Sequence, residues 1–599
     1  MKRAISILPW LGALLLIAIT LLLFESELLW KVQQYNLFLD TSLFFRDQMV
    51  VPGGLLSYIS CYFTQFFFHP WVGVLILCGW WLLLMWLTKR AFRIADQWTI
   101  LTLIPVAILL IADMNLGYWH YFMRLRGYFY VATIGTTAAV ALLWAFRTLP
   151  QNLWLRIGFI VVTTAMGYPL FGIYGLAAAL LMGIWTWRLS SNKQQNIILS
   201  VVALLCIIAI PLFCYRYVYY QTNFDDIWTA ALPAFVILDS YPQYYIPYYL
   251  LGAFFLLMVT SPVLSLKKGT YLVQGILAVA LIAAVWHWWY KDENFHHELV
   301  MQHCIEQSDW EGVLREGQKQ AEEEPTRAIV MMHNLALSRL GRQLDEMYNF
   351  PKGKKKSNTP IPNSILYYVF GRMIYYQYGM LNDCHRLCME DGVEFGWHAE
   401  TMAYLARCSI LCGETQAAQK ALNLLRHTMY HGEWADTMQQ LLDNPKQITE
   451  NRETGPITHM LHYKNALGGD NGDVEKYVMG QLSFQDADDP YFQEQAVLAT
   501  LWLRDPKLFM ARFSHYARLY PQGPIPLIFQ EAAYLFGKLE KRPDIDKFPF
   551  DMRVKKTYSA FMKEAEKYNN QSVEFGRTAL YPFFGNTYFF EYYYLRNSH

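Results

Sequence analysis

The chain has 599 residues, enough for two or more domains, and its make-up of 54% hydrophobic, 16% aromatic and 17% charged residues lies outside the soluble range. A formal net charge of +1 excludes the basic footprint of a nucleic-acid-binding protein. Nine cysteines, an odd number in no dense framework, exclude a scaffold built on disulfides.

Long apolar runs alternate with short polar breaks up to about Tyr290, and beyond Lys291 no run approaches the roughly 20 apolar residues that a bilayer requires. The start, MKRAISILPWLGALLLIAITLLLFESE, is basic and then apolar, but the run is long and no small-x-small pattern precedes Glu25, which predicts an uncleaved signal anchor. Nine spans are expected: Ile5–Phe24, Trp71–Thr88, Trp98–Met114, Tyr128–Phe146, Ile157–Ala165 extended toward Leu170, Phe171–Trp187, Ile197–Phe213, Tyr248–Leu266 and Tyr271–Trp289. The fifth and sixth are divided by Gly167, Tyr168 and Pro169.

Basic residues are retained on the cytoplasmic side. With the N-terminus inside, eleven lie in short inner positions (Lys2, Arg3, Lys89, Arg90, Arg93, Arg147, Arg156, Arg188, Lys193, Lys267 and Lys268) and five in longer outer loops (Lys31, Arg46, Arg124, Arg126 and Arg216). An odd span count then places everything after Tyr290 outside the cytoplasm. Three segments rich in Tyr and Trp share that outer face: Glu25–Pro70, Asp113–Tyr130 and Tyr215–Pro247. Such rings settle at the membrane interface.

From Lys291 the pattern becomes one of amphipathic helices broken by Gly, Pro and Asn. Asn334–Met347, Tyr375–Cys388 and Ala406–Leu422 each set a glycine after an apolar helix, and these glycines, Gly341, Gly379 and Gly413, are 38 and 34 residues apart. That period looks like tetratricopeptide repeats, which stack helix pairs into a solenoid. Pro351–Pro360 is a basic, solvated excursion, and Asn444–Gly472 is a second polar break. Cys384 with Cys388 and Cys408 with Cys412 form two i, i+4 pairs that admit three readings: small residues in a tight interface, a disulfide across the helix pair, or a zinc site. The closing ALYPFFGNTYFFEYYYLRNSH is too aromatic to be free in water and is expected to cap the last helices or return to the membrane surface. The fold expected is thus all-α, a polytopic membrane domain at 1–290 followed by a tetratricopeptide-like α-solenoid at 291–599.

LFLDTSLFF and PGGLLSYISCYFTQFFFHP after the first span, NLALSRLG and DEMYNFP in the first repeat, and FGNTYFFEYYY at the end resemble an uncharacterised family of Gram-negative envelope proteins with the same division. The layout is also similar to the GT-C glycosyltransferases. That resemblance implies an inner-membrane enzyme which takes a sugar from a polyprenyl-phosphate donor. A carboxylate of the first outer loop would serve as base or as ligand to a divalent cation. The periplasmic repeat domain would present a protein or glycan acceptor. The Asp-Asp or Asp-Glu doublet often found in that loop is absent here.

The chemistry can be assigned to residues. Activating an acceptor hydroxyl needs a carboxylate, and Asp40 and Asp47 are the loop's only aspartates. A donor phosphate needs cations, for which Arg124, Arg126 and Arg216 stand on the same face. Asp113, His120, Asp225 and Asp226 are supporting candidates, and no metal-ligand motif is assigned. Each charge also has a plain reading as an interface anchor. The rival function is a non-enzymatic membrane scaffold that collects envelope partners through its repeats. A transporter ranks third, because Asp and Arg do not recur inside the spans.

Overall fold

The computed structural model describes residues 8–189, 192–234, 242–260, 270–319, 324–350, 367–462 and 473–595. Helices make up the fold, and no β-strand occurs among the described residues. The basic Pro351–Pro360 excursion, the end of the second polar break and the last four residues lie outside the described residues. Two compact units emerge. The first holds Met1–Lys291 together with Gly392–Glu400 and Asn423–Ala435; the second holds Asp292–Asp391, Thr401–Leu422 and Asp436–His599. The chain passes from the first unit to the second after Lys291, and two short pieces of the later chain fold with the first unit.

In the first unit, α1 (Leu8–Phe24) turns by 78° into α2 (Ser26–Gln34). Next come α3 (Ser42–Gln48) and α4 (Gly54–Thr64), so the expected first outer loop is largely helical. The longer helices are α5 (Pro70–Phe92), α6 (Leu103–Met114), α7 (Tyr128–Thr148), α8 (Leu153–Phe171), α9 (Ile173–Leu189), α10 (Lys193–Tyr217), α11 (Ile246–Thr260) and α12 (Thr270–Trp288).

Against the nine spans expected, six helices among the described residues are long and apolar enough to cross a membrane, or up to eight if each bent pair crosses once. The six are Pro70–Phe92, Asp96–Met114, Tyr128–Thr148, Leu153–Phe171, Lys193–Tyr217 and Gln243–Thr260; the pairs are Pro9–Phe24 with Ser26–Gln34 and Leu272–Trp288 with Glu293–Glu306. α9, at 17 residues, is not among the six. A count between six and eight no longer fixes the parity that put residues after 290 outside. The break after the fifth apolar run also moves. α8 continues through Pro169 and ends at Gly172, whose φ is +58° and where a Cβ would lie 2.4 Å from the Ala230 carbonyl oxygen. Only glycine meets both demands.

The second unit is built from helices of about one to four turns, many started by an aspartate, serine or threonine whose side chain accepts from the first turn, as Asp292, Thr326, Asp489 and Ser572 do. Gly341, Gly379 and Gly413 have φ of +69°, +73° and +75° and follow helices Arg327–Arg339, Arg372–Gln377 and Ala399–Leu411. Each is a left-handed helix stop. The aromatic tail folds as Val573–Phe584 and Tyr588–Tyr594, with Tyr588, Phe589 and Phe590 fully buried against Phe529, Leu535 and Phe561. It completes this unit's core, the first of its two expected places.

Candidate functional site

The three aromatic segments meet at one end of the first unit's helices. The Asn36 side-chain oxygen accepts from the Gly127 N–H at 2.6 Å, and the Ser57 hydroxyl donates to the Arg126 carbonyl at 3.0 Å. Gly127, at φ +68°, starts α7 where a Cβ would lie 2.5 Å from the Cys61 nitrogen, so its glycine allows the close approach. The third segment joins through the Arg124 N–H, which donates to the Ala234 carbonyl at 2.9 Å, and the Ile173 N–H, which donates to that of Ala230 at 2.9 Å. The opposite ends of these helices carry the basic residues. Arg147 donates to the Arg90 carbonyl at 3.0 Å, and Arg147 and Arg188 both stack on Trp185.

The two segments returning from the later chain complete the first end. Lys31 of α2 pairs with Glu400 at 2.7 Å, both buried, and its ammonium lies 5.2 Å from the Tyr35 ring and 5.7 Å from that of Tyr121. Gln33 contacts Gln65 and His431, and Gln34 donates to Gln33 at 2.8 Å. Tyr430 stacks on Phe68 with ring centroids 4.7 Å apart, and His69 meets it edge-on. Of this buried polar layer only Lys31 was noted from the sequence, as an outer-loop cation; Gln33, Gln34, Gln65, Glu400 and His431 were not. The polar run Lys31, Gln33, Gln34 in an otherwise apolar region was its one local trace.

The candidates from the sequence divide between surface and interior. Asp40 is exposed, its carboxylate 3.0 Å from His427 Nδ1 and its N–H bonded to the His427 carbonyl. Asp47, also exposed, pairs with Arg126 at 3.2 Å. Arg124 and Arg216 are exposed, and Arg126 pairs with Asp47. Asp225 and Asp226 lie exposed on a 3-10 turn, where Asp226 accepts from Asn223 at 3.3 Å.

Asp113 and His120 are buried. Asp113 sits in the last turn of α6, 4% exposed, and pairs with no Lys or Arg among the described residues. His120 lies on the 3-10 turn Gly117–Phe122, with Nδ1 2.7 Å from the Tyr128 hydroxyl and no hydrogen-bond partner at Nε2. Burial pushes its pKa down to about 3, against a weaker upward pull from the Asp113 main-chain carbonyl. The imidazole is therefore neutral. Asp113 also lies within electrostatic reach of Tyr128, Tyr174 and Tyr248. An ionisable residue without a cation inside an apolar helix bundle marks a working site more often than a structural one. Among the described residues no group of three or more His, Cys, Asp or Glu is placed to hold a metal ion.

Fold and site together give an all-helical chain with six to eight helices among the described residues long and apolar enough to cross a membrane, as in a multi-pass membrane protein, and a buried acid, histidine and tyrosine cluster beneath a polar cap. The chain belongs to the family DUF6057, described as a family of unknown function, which it matches over residues 2–596. Comparison with curated proteins and with solved structures gives no match.

Proposed function

We propose that this chain is a membrane transferase acting on a lipid-linked substrate, with Asp113 as its proton acceptor. Sugar transfer from a polyprenyl-phosphate donor is the reaction that fits the GT-C-like layout. The acceptor hydroxyl gives its proton to Asp113 as its oxygen attacks the sugar C1; the C1–O bond to phosphate breaks, and the phosphate leaves with that electron pair. Arg124, exposed at the same end, meets the developing charge. His120, with a pKa pushed down to about 3, is too weak a base to keep the proton and serves as a neutral hydrogen-bonding partner beside Tyr128.

The observation that carries this reading is Asp113 itself, a carboxyl group buried among the apolar helices and paired with no Lys or Arg among the described residues. A scaffold has no use for such a residue and would bear its desolvation cost without return. Asp40 and Asp47, exposed and each in contact with a basic side chain, then act on substrate approach rather than on the reacting bond. The basic ends at Arg90, Arg147 and Arg188, opposite this site, support a cytoplasmic side there and a periplasmic site in a bacterial inner membrane. The left-handed turns at Gly341, Gly379 and Gly413 support a tetratricopeptide-like solenoid that presents the acceptor.

The test is transfer of radiolabelled sugar by the purified full chain across a panel of polyprenyl-phosphate sugars. Asp113→Asn should lower the rate by roughly 100-fold or more while leaving insertion unchanged. Equal rates in the two proteins would leave the scaffold reading standing instead.

A further inference from the structure

A second feature of the first unit has no part in the chemistry above. A cavity of about 220 Å³ opens between α7, α9 and α11, walled by Ala139, Val140, Leu181, Leu251 and Phe255. Two hydroxyls line this apolar space without a hydrogen-bond partner, those of Tyr174 and Thr136, although both residues are more than nine-tenths buried. Thr136 is unusual for its helix. Thr137 beside it donates back to the Thr133 carbonyl at 2.6 Å, as threonines in apolar helices do. The Tyr174 ring packs over Gly135, where a Cβ would come within 2.4 Å of it. Buried polar atoms left unpaired call for a partner.

The wall of the cavity also shows where its occupant comes from. Tyr249, Leu180 and Leu256 flank it and are exposed on the outside of the helices, so it opens sideways, toward lipid. It is far larger than the roughly 10–15 Å³ that a single water needs, so it admits a stretch of hydrocarbon chain. We propose that this cavity seats the hydrocarbon chain of the lipid-linked donor, with the chain's first oxygen accepting from Tyr174 and Thr136. The assignment rests on the transferase reading, and it gives that site its lipid specificity. Asp113, within electrostatic reach of Tyr174 and Tyr248, ties the cavity to the reacting end.

The experiment uses the full chain in nanodiscs and a polyprenyl phosphate with a diazirine on its hydrocarbon chain, with labelled peptides mapped by mass spectrometry. Labelling should concentrate at least fivefold on 173–181 and 245–256 relative to the lipid-facing side of α8. Gly252 lines the cavity and a Cβ there meets nothing within 4 Å, so Gly252→Phe should fill the space and cut labelling at least fivefold. Tyr174→Phe, which keeps the ring, should weaken it roughly threefold to tenfold. Even labelling of all lipid-facing helices, or equal competition by phosphatidylglycerol, overturns the proposal. Transfer that survives Gly252→Phe while labelling is lost also overturns it. Cavity labelling that persists in Asp113→Asn, with transfer lost, upholds both assignments; cavity labelling by a wild-type chain that transfers no sugar overturns the transferase reading alone.

Discussion

Lys31 and Glu400 form a buried ion pair at 2.7 Å although 369 positions separate them in the chain. The pair ties α2, in the first polar break, to a short segment that folds with the membrane helices after a hundred residues of the second unit. Tyr35 and Tyr121 shelter the ammonium, so the pair is shielded from the solvent that screens exposed pairs.

Removing one partner of such a pair strands a buried charge. Lys31→Met should destabilise the protein by roughly 3–5 kcal/mol, read as a fall in the thermal midpoint in detergent. Combined with Glu400→Leu, the loss should be less than the sum of the two single variants, with a coupling on the order of 1–3 kcal/mol. Strict additivity would show that the two residues do not depend on each other.

His120 gives the protein a pH dependence of known sign. Its folded pKa, pushed down by burial to about 3, lies below the ordinary value near 6.5, so between these limits the unfolded chain holds more protons than the folded one. Stability from this residue is full above about pH 6.5 and is lost as the pH falls toward about 3. Between pH 7 and pH 5 the loss should be about 2 kcal/mol, at about 1.4 kcal/mol per unit below 6.5. His120→Gln should flatten that part of the profile. An unchanged slope in the variant would mean that the ring is not buried as described.

The long apolar runs, the three glycine turns and the residue near which the chain divides could all be read from the sequence, because each is set by neighbours within a few positions. The bend after Phe24 and the shortness of α9 could not, since hydropathy reports burial from water and not the direction of a helix axis. The exit of α8 was misplaced for a related reason. Pro169 suggested a stop, but it lies close enough to the helix end for tertiary contacts at Gly172 to decide. Among the site residues, Asp113 stood out locally as a carboxylate closing an apolar run. Glu400, Tyr174 and Thr136 gave no such sign, because their roles depend on partners distant in sequence.

Cys384, Cys388, Cys408 and Cys412 form no disulfide, and burial pushes up the pKa of Cys384 and Cys388. Cys408 is buried too and shares a hydrogen bond with Cys384. A thiol reacts through its thiolate and must be reached to do so. N-ethylmaleimide should therefore label exposed Cys412 first under native conditions, with Cys384, Cys388 and Cys408 labelled only after denaturation. Rapid native labelling of Cys384 would contradict its burial. A mass 2 Da lower on a peptide pair joining Cys384 and Cys408 would instead show that the two thiols had formed a disulfide.

Asp47 and Arg126 supply the contrast to the buried pair. Their side chains are 58% and 26% exposed and 3.2 Å apart, so solvent offsets most of their attraction and the pair is worth about 1 kcal/mol or less. Asp47→Asn should leave the thermal midpoint nearly unchanged. Asp40→Asn, at the still more exposed contact with His427, should do the same. Their kinetic effects then bear directly on where the chemistry takes place. With the proton acceptor at Asp113, both variants should raise KM for the acceptor with little change in kcat, the mark of an interaction equally strong in ground and transition states. A fall of roughly 100-fold or more in kcat for either one, with the fold intact, would move the base to the first polar segment and leave Asp113 as a structural carboxylate.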